Sequence, residues 1–541
     1  MLQKSNQVYE ESGTRRMLLT GNNWMITTDH PLATQAGAEV LAGGGHAVDA
    51  AIAANLVLTV VRPHMCSLGG DLFALIYSAQ TERLEALNAS GCSPLAANIE
   101  KYRAKGLSEI PETGILTATV PGVVRGWYTL LERFGTRTFK DLSGKAIESA
   151  QKGFYVDSAL QQAILEKKDQ LTDFPNAAAI FLPDGRVPLV GQRIIQKDLA
   201  QSIQKIAVQG PEAFYCGSIA ESLVHLSQAQ GGFFSKQDFE KHQSKWVQPL
   251  QASYRGREIC TLPPNSQGIA LLMQARILEQ MDLSKFDLGG GDLIHYMVEA
   301  KKLAFADRDR YVCDPGFTPV PVNRLLSAEH GHKQFGRIHP DRAAGQVRAE
   351  AFTVGGRDTV YLAVVDQKGN AVSLIQSIYE PFGSCMVIPD TGIILHNRGR
   401  GFSLNPAHPN GLEPGKRPYH TLHPAMVLKN GRPQIVLGSP GADGQTQTVM
   451  QMLVAMLDHE TDMQTAVEVP RWRSNPDGTL WMEGRFDSRV VSELKGRGHR
   501  VELRPDWDPI MGSAQAIRID YESGFLLAGA DPRRQAYAIG S

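Results

Sequence analysis

The chain has 541 residues, enough for two or three ordinary domains or one large one with two lobes. Hydrophobic residues make up 42% and charged residues 21%, as in a soluble globular protein, and a net charge of -1 removes the electrostatic basis for binding nucleic acid or an anionic membrane. Six cysteines without a CxxC pair argue against a thiolate zinc site and suit a reducing compartment.

Residues 1–22 read as a polar, weakly ordered lead-in without the apolar core of a signal peptide, so the chain is expected to be cytoplasmic. Trp24–Thr28 predicts a short strand, and Asp29-His30-Pro31 predicts a turn that starts a helix over Leu32–Leu41. Gly43-Gly44-Gly45 stops it. His46–Val61 is Ala-rich and apolar on nearly every face, which predicts a buried helix about half the length that would span a bilayer. Phe73–Tyr77 and Arg83–Ala89 predict a hairpin.

From Thr119 to about Leu283 the pattern is mostly helical, with apolar residues at helical spacing over Gly126–Phe134, Asp141–Lys152, Ser158–Thr172, Gln196–Gln209 and Ile219–Gln228. Leu293–Tyr311 is another long helix, and residues 316–355 are loop-rich and charged. Strand-like alternation dominates from 359 to 440, with runs near 359–365, 371–378, 385–388, 393–395, 425–429 and 433–438. The helix Gln445–Leu457 follows. A helical first part and a strand-rich second part predict an α+β fold or a layered sandwich.

The glycine clusters at 43–45 and 289–291 match no phosphate-binding loop, and HExxH is absent. Leu437 occupies the first Gly position of a would-be GxSxG, so Ser439 is not a hydrolase-elbow nucleophile. His408, His420 and His423 lie close in sequence without an acidic or Cys ligand pattern, which favours structural hydrogen bonding over a metal. No cofactor is expected. Thr359 heads a strand after the loop Gly355-Gly356-Arg357-Asp358, and from these residues alone it reads as an ordinary β-former.

Several blocks carry a resemblance over roughly residues 26 to 503. They are HPLATQAG, GGGHAVDAAIAA and SLGGD between His30 and Asp71, TVPGVVRGW (119–127), PPNSQG (263–268), EAKKLAFADRDRY (299–311), VVDQKGNAVS (364–373), KRPYHTLHP (416–424) and GSPGADG (438–444). In this order they resemble the γ-glutamyltranspeptidase family of N-terminal-nucleophile hydrolases. The resemblance implies a four-layer αββα sandwich and self-cleavage between Asp358 and Thr359. The implied products are a heavy chain, residues 1–358, and a light chain, residues 359–541, which stay together. It also implies that Thr359 is the nucleophile, that Ser377 orients its amine, and that the N–H groups of Gly441 and Ala442 form the oxyanion hole. A Thr at a chain terminus carries its own base, an α-amine with a reference pKa of about 7.7–8.0.

The recognition residues depart from the family. Ser90 stands where the family's carboxylate-binding Arg is expected, and His420-Thr421 replaces a serine pair. Tyr379, Arg398 and Gly401 replace an Asn, a Gln and an Asp. Arg398 and Arg400 can supply a carboxylate clamp from another wall, with His420 as a further donor. The pattern is similar to the branch that includes oxamate amidohydrolase and glutaryl-cephalosporin-type acylases. The expected function is therefore hydrolysis of a small acidic amide, an oxamate or glutaryl amide for example. The alternatives are a γ-glutamyl hydrolase or transpeptidase acting on glutathione-like amides, and an inactive relative kept for binding. The acyl group, the choice of water or an amine as acceptor, and the oligomeric state, a homo-oligomer included, stay open.

Overall fold

The computed structural model describes residues 16–345 and 359–541, so the Asp358 side of the expected cleavage bond lies outside the described residues. Two seven-stranded sheets form the centre, and every strand pair in them is antiparallel. One sheet runs, edge to edge, Tyr537–Gly540, Met25–Thr28, Val360–Val365, Ala371–Ser377, Asp71–Ser78, Arg83–Ala89, Lys245–Val247. The other runs Leu19–Gly21, Leu526–Ala530, Gln515–Ile519, Arg432–Gly438, Ala425–Lys429, Arg257–Thr261, Leu250–Tyr254.

Three apolar layers follow from the period-two pleat of these strands. Val360, Leu362 and Val364 face a helical layer that includes Pro31–Ala42 and Ala47–Val61. The alternate residues Tyr361, Ala363 and Val365 join Phe73, Leu75, Met426, Val436 and Ile517 between the sheets. On the far side, Val427, Ile435 and Leu437 pack against the helices Gly268–Leu278, Gly291–Tyr311 and Gly444–Leu457. This is the expected αββα sandwich. Strands that precede and follow position 359 are interleaved in both sheets.

Most predicted elements appear within a few residues of their expected ends. Ala47–Val61 is buried along its whole length. The region read as mostly helical before residue 283 also holds five strands: the short pair Phe154–Tyr155 and Arg193–Ile194, then Lys245–Val247, Leu250–Tyr254 and Arg257–Thr261. The last two form a hairpin around Arg255 and Gly256, both at positive φ. Such a turn usually advertises itself with Asn-Gly, and an Arg in the first position hid it. The helix expected over Ser158–Thr172 is broken at Lys167. The loop-rich 316–355 region contains the short helices Val322–Leu325 and Ala328–Phe335. The runs at 385–388 and 393–395 meet only through a Val387–Ile394 bridge. None of the described helices is long and apolar enough to cross a membrane.

Candidate active site

Three polar residues meet at one end of the first sheet. Val360 pairs with Gln376, so the next register position sets Thr359 opposite Ser377, and Ser377 pairs in turn with Asp71. Thr359 alternates with Tyr361 and Ala363, Ser377 with Ile375, and Asp71 with Phe73. All three therefore lie on the side facing the second sheet. Thr359 is only 2% exposed. Ser377 Oγ accepts the Tyr379 N–H at 2.7 Å, which turns the chain sharply after the strand and leaves Tyr379 at φ 82°. A non-Gly residue in the left-handed region marks a conformation imposed by its surroundings.

Asp71 is the hub of a buried cluster that the sequence did not single out. Its Oδ2 lies 3.1 Å from His420 Nε2, 3.2 Å from His396 Nδ1 and 3.7 Å from Arg398 Nε, while Oδ1 accepts the Gly91 N–H at 3.1 Å. Burial alone would raise the Asp71 carboxyl, but the His396 and His420 contacts hold it below the ordinary carboxylate range. Burial, then the neighbouring Arg398 charge, pushes His420 down to about 3. Its neutral ring accepts the Leu422 N–H at Nδ1 and donates to Asp71 from Nε2.

Arg398 completes this wall. Its guanidinium sits 4.2 Å from the Tyr379 ring centroid, and Nη1 donates to Thr421 Oγ1 at 3.3 Å. Nε and Nη2 are buried without a hydrogen-bond acceptor. Arg400 is placed differently: its guanidinium pairs with Glu380, which also accepts from Asn397 Nδ2 at 2.6 Å. Ser90 donates its N–H and Oγ to Asn88 Oδ1, and its carbonyl accepts from Arg417 Nε.

The second sheet brings the remaining group. Strand Arg432–Gly438 ends above the Tyr361 ring, so close that a Cβ on Gly438 would lie 2.3 Å from it. The chain then turns through Gly441 (φ 128°) and Ala442 (φ 49°) into the helix Gly444–Leu457. Gly441 O accepts the Gly444 N–H at 2.7 Å. Within the trans peptide joining Gly441 to Ala442, that contact aims the Ala442 N–H the opposite way. Asp443 is tied to Arg308 at 2.8 Å, and a cavity of about 930 Å³ lies beyond, lined by Lys301, Arg308, Asp309 and Ser474 among others.

The histidines divide as their partners dictate. His423 Nδ1 meets Gln445 Oε1 at 3.2 Å, and His408 Nδ1 accepts the Asn410 N–H at 2.9 Å. Elsewhere His295, Glu299 and His499 bring ligand atoms within 4.8 Å of one another. Hydrogen bonds account for this grouping: the two rings share one at 2.9 Å, and Glu299 receives Lys302 Nζ and the Ala344 N–H.

Helical layers enclosing two antiparallel sheets, with a Thr at the head of an inner strand, define the N-terminal-nucleophile hydrolase class. The gamma-glutamyltranspeptidase family model matches residues 33–541, and the chain belongs to that family. It is an enzyme of the amidohydrolase and γ-glutamyltransferase type. A glutathione hydrolase-like YwrD proenzyme of Bacillus subtilis (strain 168) is 42% identical over 530 residues, covering 96% of this chain and 99% of that one. The oxamate amidohydrolase proenzyme of Klebsiella pneumoniae is 35% identical over 535 residues, covering 95% and 98%. Among solved structures, cephalosporin acylase from Bacillus halodurans superposes with a TM-score of 0.91 at 33% identity, covering 98% of this chain and 97% of that one.

Proposed function

We propose that the protein is a self-processing amidohydrolase that cleaves a small amide whose acyl group carries a carboxylate and no α-ammonium. The observation that carries this reading is Arg398, buried beside Asp71 and Tyr379 with Nε and Nη2 making no hydrogen bond. A buried guanidinium with open donors suits a planar anion, which would take two charge-assisted hydrogen bonds.

In maturation, Thr359 Oγ attacks the carbonyl carbon of Asp358. The peptide C–N bond breaks as the ester forms, the hydroxyl proton passing to the departing nitrogen and freeing the Thr359 amine, and water then hydrolyses the ester to the Asp358 carboxylate and the Thr359 hydroxyl. The pieces have 358 and 183 residues and stay together because their strands interleave. In turnover, the same hydroxyl attacks the substrate carbonyl while the α-amine takes its proton and passes it to the departing amine. Gly441 and Ala442 N–H groups stabilise the oxyanion, Ser377 orients the amine, and water hydrolyses the acyl ester. Tyr379 and Thr421 brace Arg398, and His420 braces Asp71. The six unpaired cysteines support a reducing, cytoplasmic setting.

The second reading, a γ-glutamyl hydrolase or transferase, draws on Asp71, whose carboxylate beside Arg398 could receive an α-ammonium. Its oxygens already face Gly91, His396 and His420, so an ammonium would have to displace one of them. The test is intact mass of wild type and Thr359→Ala, followed by kcat/KM of the matured enzyme on oxamate, glutaryl and γ-glutamyl amides. Two chains for wild type, one for the variant, and preference for the first two substrates are expected. An uncut wild type would refute self-processing, and γ-glutamyl preference would establish the second reading.

A further inference from the structure

Every polar group of the Gln267 side chain is engaged. Its side-chain Nε2 donates to Thr421 O at 2.6 Å and to Ala442 O at 2.9 Å. Its Oε1 accepts from Arg308 Nη1 at 3.1 Å and from the Tyr419 hydroxyl at 2.9 Å. Its main-chain N–H donates to His420 O at 2.8 Å. An amide offers two donor hydrogens and two acceptor lone pairs, so this side chain is saturated. Its orientation is fixed as well, because a flipped amide would aim its NH₂ group at two donors.

We propose that Gln267 is a positioning residue that holds the oxyanion loop in register with the acyl-binding wall. Ala442 occupies a left-handed conformation that an L-residue adopts only under constraint. The constraint comes from both flanks. Gly444 N–H holds Gly441 O, while Gln267 and the Gln445 N–H hold Ala442 O. Arg308 connects Gln267 to Asp443, the next residue of the same loop. The second Gln267 donor secures Thr421, whose hydroxyl receives Arg398. One side chain thus links the loop where negative charge develops to the wall where the substrate carboxylate rests. Oxyanion donors stabilise a transition state only when they are placed before it forms. The proposal rests on the assignment of Gly441 and Ala442 as those donors.

Gln267→Glu tests it. Glutamate keeps the acceptor for Arg308 and Tyr419 but cannot donate to Thr421 O or Ala442 O. The variant is expected to fold and mature, with kcat about 10- to 100-fold lower and KM within about 3-fold of wild type, less than or similar to the loss of a direct oxyanion donor. A glutaryl-mimicking carboxypropylboronic acid, which forms a tetrahedral anion on the nucleophile, should lose affinity by the same factor as kcat. An unchanged kcat with unchanged boronate affinity, or a loss confined to KM, overturns the role of Gln267 alone. A lowered kcat with unchanged boronate affinity overturns the oxyanion assignment beneath it. If circular dichroism shows Gln267→Glu unfolded, Gln267→Asn, an uncharged amide one methylene shorter, is measured against the same outcomes.

Discussion

Arg398 and Arg400 stand two residues apart and have opposite standing in the site. Arg400 spends its charge on Glu380, whereas Arg398 keeps Nε and Nη2 open in a wall made by Tyr379, Thr421 and Asp71. Asp71 keeps that buried guanidinium from being an isolated charge, which would be costly in a dry interior. A hydrogen bond to a charged group is worth about 1.5–3 kcal/mol. Arg398→Gln should therefore lower kcat/KM for a carboxylate-bearing amide by about 10- to 100-fold and leave the corresponding methyl ester within about 3-fold. Equal losses on both substrates would mean that Arg398 supports the fold and does not read the acyl group. Arg400→Gln, tested beside it, should have the smaller effect on charge preference.

At the scale of elements, the site depends on how the Thr359 hairpin meets the end of the Arg432–Gly438 strand. Gly438 lets the two sheets approach, because its Cα lies against the Tyr361 ring, and that ring is pinned by a hydrogen bond between its hydroxyl and Ser373 Oγ at 2.7 Å. An added methyl has no room, and the ring cannot swing away without losing this bond. Gly438→Ala should cost about 1–3 kcal/mol by overpacking. It should also displace Ser439–Asp443 relative to Thr359. Urea denaturation of the matured protein and kcat together check this: a lower midpoint with lower kcat is expected, and a wild-type midpoint would refute the close-packing account.

At the scale of the whole molecule, the sandwich buries histidines that are neutral in the folded state. Burial is the largest cause that pushes His64, His242 and His420 down to about 3 and His423 to about 4. In an unfolded chain each would titrate near 6.5. Between about pH 6.5 and those folded values the unfolded state holds more protons, so stability rises with pH and is lost on acidification through this window. Each histidine contributes a slope of up to about 1.4 kcal/mol per pH unit. The Tm should fall steeply from pH 7 to pH 5. A flat profile over that range would show that these rings accept protons while folded.

Much of this molecule was legible because its signals are local. The apolar, Ala-rich run from 47 to 61 determines a helix buried on every face, and the alternation from 360 to 377 determines a hairpin with one face to the helices and one to the other sheet. The order of the family blocks pointed to Thr359 and to Gly441-Ala442. Asp71 escaped notice because a lone Asp after two glycines reads as a turn. Its partner His420 lies 349 residues away in sequence, and no local pattern encodes such a pairing. The same holds for Arg398 and Arg400: as residue types they are equal, and only the packed structure assigns Glu380 to one and leaves two donors open on the other. The sequence by itself determined the elements, their buried faces and the residues able to do this chemistry. Tertiary structure decided which of those donors are occupied and which remain open, because Arg398 meets Asp71 and Arg400 meets Glu380 only once the chain is packed.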